Sequence, residues 1–374
     1  MSFVLAGLGG FVSTRAEEPS LVQGTLLAPK AFRAAAAKVQ PAVVRIEGFG
    51  GIAAGADGGG YQAPGEGPTT GVVLSSDGYI VTSTFNFLRK PPIITVVTAD
   101  GRRHVAQLLG RDETCKLCLL KIDGAESLAA ATFAPRSEVK VGQWAIAVGV
   151  GFGGNQPALS AGIISATSRI SGKAVQTDAN TSPANYGGPL VDLDGRVIGI
   201  CVPLSADAKS EAAGAEWYDS GIGFAVPLDG LDKQIAALKE GKTLERGYLA
   251  IQAEPTGNPP AGAVIKQVIP EFAAAKAGLL AGDQIISVGG TEILDVTHLA
   301  SVIGRYYLGD KVEVLIERAK ERKTIAVELG KAPPPPQPPM PKPGDKGNEP
   351  PQPDRPKPAP PKPAEPEKPT ESPR

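Results

Sequence analysis

The chain has 374 residues, 42% of them hydrophobic and 21% charged, enough apolar content to bury one large core or two medium ones. Lysine and arginine (38) nearly balance aspartate and glutamate (39), and a formal net charge of -1 excludes a global field that would draw the protein to nucleic acid or anionic lipid. Three cysteines do not make a disulfide framework, and the two histidines, His104 and His298, are the only imidazoles available to any chemistry.

The N-terminal "MSFVLAGLGGFVSTRAEE" has an apolar run from Phe3 to Val12 and a small residue, Ala16, before two acids. It resembles the end of a secretory signal peptide without the basic n-region, so residues 1–28 are expected to be a leader remnant or a disordered terminus. The run is too short to cross a bilayer, and no other segment reads as a membrane span. "APKAFRAAAAKV" is helical in pattern and must break before Pro41, followed by a strand over Ala42–Ile46. The glycine-rich stretch after it, "GFGGIAAGADGGGYQAPGEGPTT", is expected to be a mobile loop. Short β-branched runs follow at regular spacing, among them "GVVLSSDGYIVTS", "CKLCLLKID", "WAIAVGVG", "LSAGIISATSRI" and "GPLVDLDGRVIGICVP". Asp77–Gly78, Asp100–Gly101 and Asp194–Gly195 read as hairpin turns, so this part is an all-β sandwich or barrel. Cys115 and Cys118 form a C-x-x-C within what reads as a strand, where positions three apart face opposite ways. That argues against metal or redox use and for small buried hydrophobes, as at Cys201.

A helix, "LDGLDKQIAALKEGK", closes this unit, with Leu231, Ile235 and Leu238 at helical spacing and Gly241 as the stop. A smaller mixed unit runs to about Leu329. Its expected strands are Ala263–Val268, Gln284–Val288, Lys311–Arg318 and Lys323–Leu329, and its expected helices are Phe272–Ala277 and Val296–Tyr306. From Lys331 the chain holds more than half of its 36 prolines and almost no apolar partner, and reads as an extended spacer with PxxP spacings that could also serve as a ligand.

From Phe32 to Leu329 the order and spacing of these motifs resemble the HtrA (Deg) family. The match rests on "PAVVRI", "GVVLSSDGYIVTS", "VGQWAIAVG", "QTDANTSPANYGGPLVDLDGRVIGI", "RGYLAI" and "AAAKAGLLAGDQIISVGGTEI". The resemblance implies a mainly β protein: a trypsin-like double β-barrel over residues 29–245, an α+β PDZ domain over 246–331, and a disordered proline-rich tail over 332–374. It also implies a catalytic serine, histidine and acid. The family's histidine position here reads Phe85, after Thr82-Ser83-Thr84; its acid position reads Lys116; its nucleophile position, before Gly187-Gly188, reads Tyr186. A phenyl ring accepts no proton, and a phenol with a pKa of ~10 is a poor nucleophile without a base. The family's oxyanion loop, Pro-Gly-Asn-Ser-Gly-Gly, has become Pro183-Ala184-Asn185-Tyr186-Gly187-Gly188, so alanine stands where the family's first glycine needs an unusual dihedral. Asp178 is expected to serve the barrel. Phe85, Lys116 and Tyr186 are expected to fill the former cleft, with the lysine over an aromatic face. A Lys116–Ser182 or Lys116–Tyr186 dyad is the alternative that would preserve catalysis.

What the resemblance leaves is peptide binding. The loop Gly247-Tyr248-Leu249-Ala250-Ile251 matches the family's carboxylate-binding loop, with alanine at a position commonly glycine. His298 resembles the PDZ histidine that selects a hydroxyl residue two before the ligand's C-terminus, or else is an exposed helix residue. Leu249, Ile251, Val302 and Ile303 would line the terminal pocket or belong to the core. The expectation is a catalytically inactive HtrA-like homologue, periplasmic or secreted, that binds peptides or protein C-termini. It carries no cofactor, metal site or nucleic-acid partner, and it is open to homo- or hetero-oligomers of the trimer type with active relatives. An active trypsin-like endopeptidase with a rearranged site is the alternative.

Overall fold

The structure, a computed structural model, describes residues 21–49, 69–88, 90–124, 127–151, 156–204, 221–255 and 262–333. The expected leader sequence, most of the glycine-rich stretch and the proline-rich tail lie outside the described residues.

Helix α1 (Leu21–Val39) begins within the segment expected to be a disordered terminus. Its C-terminal half buries Ala35, Ala36 and Val39, and a 3-10 turn at Gln40–Ala42 ends it at Pro41, as the proline requires. Strands β1 (Val43–Phe49), β2 (Thr69–Val73), β3 (Tyr79–Ser83), β4 (Ile93–Val97), β5 (Arg103–Asp112) and β6 (Leu117–Ile122) run β5-β4-β1-β2-β3-β6, and β5 pairs with β6 to close a six-stranded barrel. Its interior is filled by Ile46, Ile80, Val96, Leu120 and Ile122, residues that alternate toward one face of their strands. A second closed barrel contains β7 (Trp144–Gly149), β8 (Ala158–Arg169), β9 (Ala174–Thr177), β10 (Pro189–Val191), β11 (Val197–Cys201) and β12 (Gly223–Val226), in the order β10-β11-β12-β9-β8-β7. The three Asp-Gly pairs turn hairpins, with Gly78, Gly101 and Gly195 at φ 97°, 83° and 78°.

Between the barrels lies a core of Val43, Val72, Val81, Ile146, Val148, Val191 and Ile200, to which α1 adds its alanines. Helix α2 (Asp232–Lys239) packs on β5 and ends at Gly241 (φ 81°), whose N–H bonds Leu238 O at 3.0 Å. Strand β13 (Thr243–Leu244) then pairs in parallel with β5 and straps the connecting segment to the first barrel.

Cys115 is not on the strand expected to carry it. Asp112 Oδ1 accepts the N–H groups of Thr114 and Cys115, both at 2.8 Å. This side-chain turn delays β6 to Leu117. Cys115, Cys118 and Cys201 are buried free thiols, and no group of metal-binding residues forms among the described residues.

The final unit has a sheet ordered β14 (Ile251–Pro255), β15 (Ala263–Val268), β16 (Gln284–Val288), β18 (Lys311–Arg318) and β19 (Glu321–Glu328), with β17 (Thr291–Glu292) beside β16. Helices α3 (Ala273–Ala277) and α4 (Val296–Ile303) pack on it, and Leu299, Val302 and Ile303 enter its core. Helix α4 stops at Ile303 rather than Tyr306, with Gly304 as its C-cap. The whole is a trypsin-like double barrel followed by a PDZ domain. Among the described residues no helix is long and apolar enough to cross a membrane.

Candidate functional site

The chain brings Phe85 and Tyr186 together and buries both. Phe85 belongs to a 3-10 turn (Thr84–Phe87) after β3, capped by Ser83 Oγ, which accepts Phe85 N–H at 3.3 Å. Thr84 N–H bonds the carbonyl of Lys116 at 2.9 Å, so the β5–β6 turn carries this segment. Tyr186 lies on the loop before β10, and its ring meets Phe85 edge to face, with centroids 5.3 Å apart and planes at 80°. The two rings are 1% and 2% exposed. Such a contact is worth ~0.5–1.5 kcal/mol beyond the burial of the rings.

The loop of Tyr186 is fastened on all sides. Asn86 Nδ2 donates to Tyr186 O at 3.2 Å and to Thr82 Oγ1 at 2.9 Å. Thr70 Oγ1 donates to Ala184 O at 2.7 Å. Gly187 N–H bonds Cys201 O at 2.8 Å; with φ 86° and with Thr82 and Thr70 against its Cα, it has no room for a side chain. The amides of the expected oxyanion loop are bonded within that loop. Ala184 N–H donates to Ser182 Oγ at 3.3 Å and Tyr186 N–H to Ser182 O at 3.1 Å. Asn185 N–H also bonds Ser182 O, at 2.8 Å. The unusual dihedral expected at Ala184 is absent: that residue is not in left-handed backbone, since the loop closes on itself with a turn that alanine tolerates.

Lys116 departs from expectation. It is 8% exposed, in left-handed backbone at φ 57°, but among the described residues the cations over aromatic rings are Lys121, Lys173, Lys239 and Arg246. The residue instead lines a cavity between the barrels and the PDZ domain. No hydrogen bond joins it to Ser182, whose Oγ donates to Asn185 Oδ1 at 3.1 Å. His104 is on β5 opposite Val96, and His298 is on α4. Asp178 Oδ1 accepts Ile163 N–H at 2.6 Å and so serves the second barrel, as expected.

In the PDZ domain, β14 is the terminal strand of its sheet, with α4 beside it. Before β14, Gly247 to Ala250 form a loop held by Tyr248, whose N–H and O bond Gly330 at 2.9 and 3.1 Å. Leu249 O accepts from Ala274, and Ala250 O from Ile269. Ala250 is left-handed at φ 61°, which explains why glycine is common there. Asp295 caps α4 by accepting His298 N–H at 2.7 Å. His298 Nδ1 accepts Leu294 N–H at 3.2 Å, which places its proton on Nε2 as a donor. Leu249 and Val302 are buried and Ile251 is half-buried. Leu249, Val302 and Ile303 belong to the core, against which Ile251 packs.

Sequence patterns did not disclose a polar node at the contact of the two parts. Tyr307 Oη donates to Asp112 Oδ2 at 2.8 Å and lies 3.5 Å from Cys115 Sγ, with Lys173 Nζ over its ring at 4.5 Å. Burial, then the nearby Cys115 and Asp112, hold the phenol in its neutral form. These residues come from β5, the turn after it, β9's approach and the segment after α4, so no local signal links them.

Two families match the chain: Trypsin-like peptidase domain over residues 69–200 and PDZ domain over 247–329. A probable periplasmic serine endoprotease, DegP-like, from Hahella chejuensis is 33% identical over 278 residues, which is 71% of this chain and 57% of that protein. A protein of the same description from Halomonas elongata is also 33% identical over 278 residues, covering 71% of this chain and 56% of its own length. The chain thus spans little more than half the length of these curated relatives. Among solved structures, HtrA-type protease AlgW with decapeptide superposes at a TM-score of 0.61 with 26% identity, covering 81% of this chain and 99% of that one. The serine endoprotease from Yersinia pestis gives 0.59 and 27%, with 81% and 98% covered.

Proposed function

Starting from a chain that belongs to the HtrA family, we propose a catalytically inactive homologue that binds peptides or protein C-termini through its PDZ domain. The observation that carries the reading is the Phe85–Tyr186 contact. Two packed aromatic rings stand where the family's base and nucleophile are expected. Phe85, Lys116 and Tyr186 together supply neither a proton acceptor beside a hydroxyl nor an acid to orient one. The amides of Ala184 and Tyr186, bonded to Ser182, add the loss of the oxyanion donors. Fold alone carries no activity once the reacting groups have changed.

Peptide binding rests on the terminal strand β14, which offers one backbone edge to an added strand. The left-handed turn at Ala250 and the loop from Gly247 to Ile251 would receive the ligand's carboxylate, with half-buried Ile251 beside its last side chain. His298 Nε2 would meet a serine or threonine hydroxyl two residues earlier. The relatives' names support a periplasmic setting, and the barrels are open to assembly with other HtrA-like chains.

Purified chain incubated with unfolded casein and a serine-directed fluorophosphonate probe should cleave nothing and take no label. Cleavage abolished by substitution at Tyr186 or Ser182 would end this reading. For the groove, a peptide ending in Thr-x-Leu should outcompete its alanine variant, and His298→Ala should erase that preference.

A further inference from the structure

Lys116, Arg169, Lys173 and Arg246 converge on the cavity of about 1040 Å³ between the barrels and the PDZ domain. Among the described residues none of the four makes an ion pair. The two acids on the same wall are already engaged: Glu113 with Arg111 at 3.8 Å and Glu245 with Lys331 at 3.7 Å. Among the described residues Arg169 Nε donates to Gln176 Oε1 at 2.9 Å, and Arg246 donates to Ala300 O at 3.3 Å and lies over the Tyr248 ring.

Five buried side-chain polar atoms lack a hydrogen-bond partner among the described residues, and three of them, Thr114 Oγ1, Lys173 Nζ and Arg246 Nε, belong to wall residues of this cavity. Unpaired buried donors and cations are costly, and natural sequences keep few of them. Their gathering at one cavity needs an occupant rich in acceptor oxygens. Burial lowers the pKa of Lys173, against the opposing pull of Cys115 and Asp112.

Among polar residues such as Ser171 and Thr297, the wall also carries the apolar side chains of Ile170, Leu204, Ile222 and Phe224. A bare inorganic anion would leave those side chains facing nothing. We propose that this cavity binds an acidic peptide segment, its carboxylates on Lys116, Arg169, Lys173 and Arg246 and its apolar side chains on Ile222 and Phe224. The cavity shares Tyr248 and helix α4 with the groove but needs no terminal carboxylate, so it goes beyond the groove reading.

The test uses the full chain and a short, N-terminally labelled peptide of alternating leucine and glutamate with an amidated C-terminus, which denies the PDZ loop its ligand. Fluorescence anisotropy should show saturable binding that weakens with salt and is absent for the leucine–glutamine counterpart. Arg169→Gln together with Lys173→Gln should weaken it about tenfold or more, two charge pairs at a cavity wall being worth that much. Arg169 is exposed, so Arg169→Gln alone leaves the fold untouched and should still weaken binding about threefold. Three results would overturn the proposal: equal binding of the glutamine peptide, unchanged affinity in both variants, or displacement by a free-acid peptide ending in Thr-x-Leu. Micromolar affinity for inorganic phosphate alone would also overturn it, by making a small oxyanion the occupant.

Discussion

The hydroxyl of Tyr307 donates to Asp112 Oδ2 at 2.8 Å, joining residues 195 positions apart and fixing the PDZ domain against the first barrel. The other oxygen of Asp112 shapes the turn that ends in Lys116, so one carboxylate serves both the domain contact and the site. Tyr307→Phe removes a hydrogen bond to a charged acceptor and should cost about 1.5–3 kcal/mol. Urea denaturation of the full chain should show the loss as a lower midpoint.

Burial of Tyr186 against Phe85 makes the tyrosine structural. Truncation by Tyr186→Ala should therefore destabilise the chain by about 3–5 kcal/mol, the usual cost of removing a buried aromatic. A decorative side chain would cost nothing, and thermal unfolding separates the two outcomes.

Restoring all three side chains, with Phe85→His, Lys116→Asp and Tyr186→Ser, should not by itself produce casein hydrolysis above background. The amides of Ala184 and Tyr186 stay bonded to Ser182, and one missing oxyanion donor already costs ~100–1000-fold in rate. Hydrolysis by the triple variant would show that the loop opens with the side chains.

Ala250 and Lys116 both hold left-handed backbone, at φ 61° and 57°. Each L-residue there costs about 1–2 kcal/mol that glycine does not. Ala250→Gly should raise stability by roughly 1 kcal/mol after glycine's larger unfolded-state entropy is subtracted. Chemical denaturation measures it directly.

Burial pushes the thiols of Cys115 and Cys201 up from the ordinary 9.0 to about 12. At pH 8 both should resist iodoacetamide in the native chain and react on unfolding. The neutral thiols add stability below pH 9; between 9 and 12 the unfolded chain ionises first, so stability should fall as pH rises through that window. Labelling in parallel with urea titrations at pH 8 and 10 checks both statements.

Much of this was legible in the residues. Asp77–Gly78, Asp100–Gly101 and Asp194–Gly195 carry their turn geometry within two positions, and Pro41 ends its helix by its own ring. Short β-branched runs at regular spacing told that this part is an all-β sandwich or barrel. The substitutions at positions 85, 116 and 186 could be read against a familiar pattern because that pattern is local and ordered. Their outcome could not. Whether Lys116 lay over a ring depended on the left-handed turn set by Asp112, and that turn placed the residue on the cavity wall instead. Cys115 left its strand for the same reason.

Short-range periodicity and turn chemistry, which act within a few residues, determined an all-β unit followed by a smaller mixed one; the resemblance to the HtrA family implied the two barrels and the PDZ domain, and the residues themselves put phenylalanine at position 85. Only the tertiary structure decided that Phe85 packs on Tyr186, that Tyr307 grips Asp112, and that four cations outside any ion pair among the described residues share one cavity. Those contacts join segments far apart in the chain, and their energy exists only once closure of both barrels and docking of the PDZ domain have brought the side chains within reach.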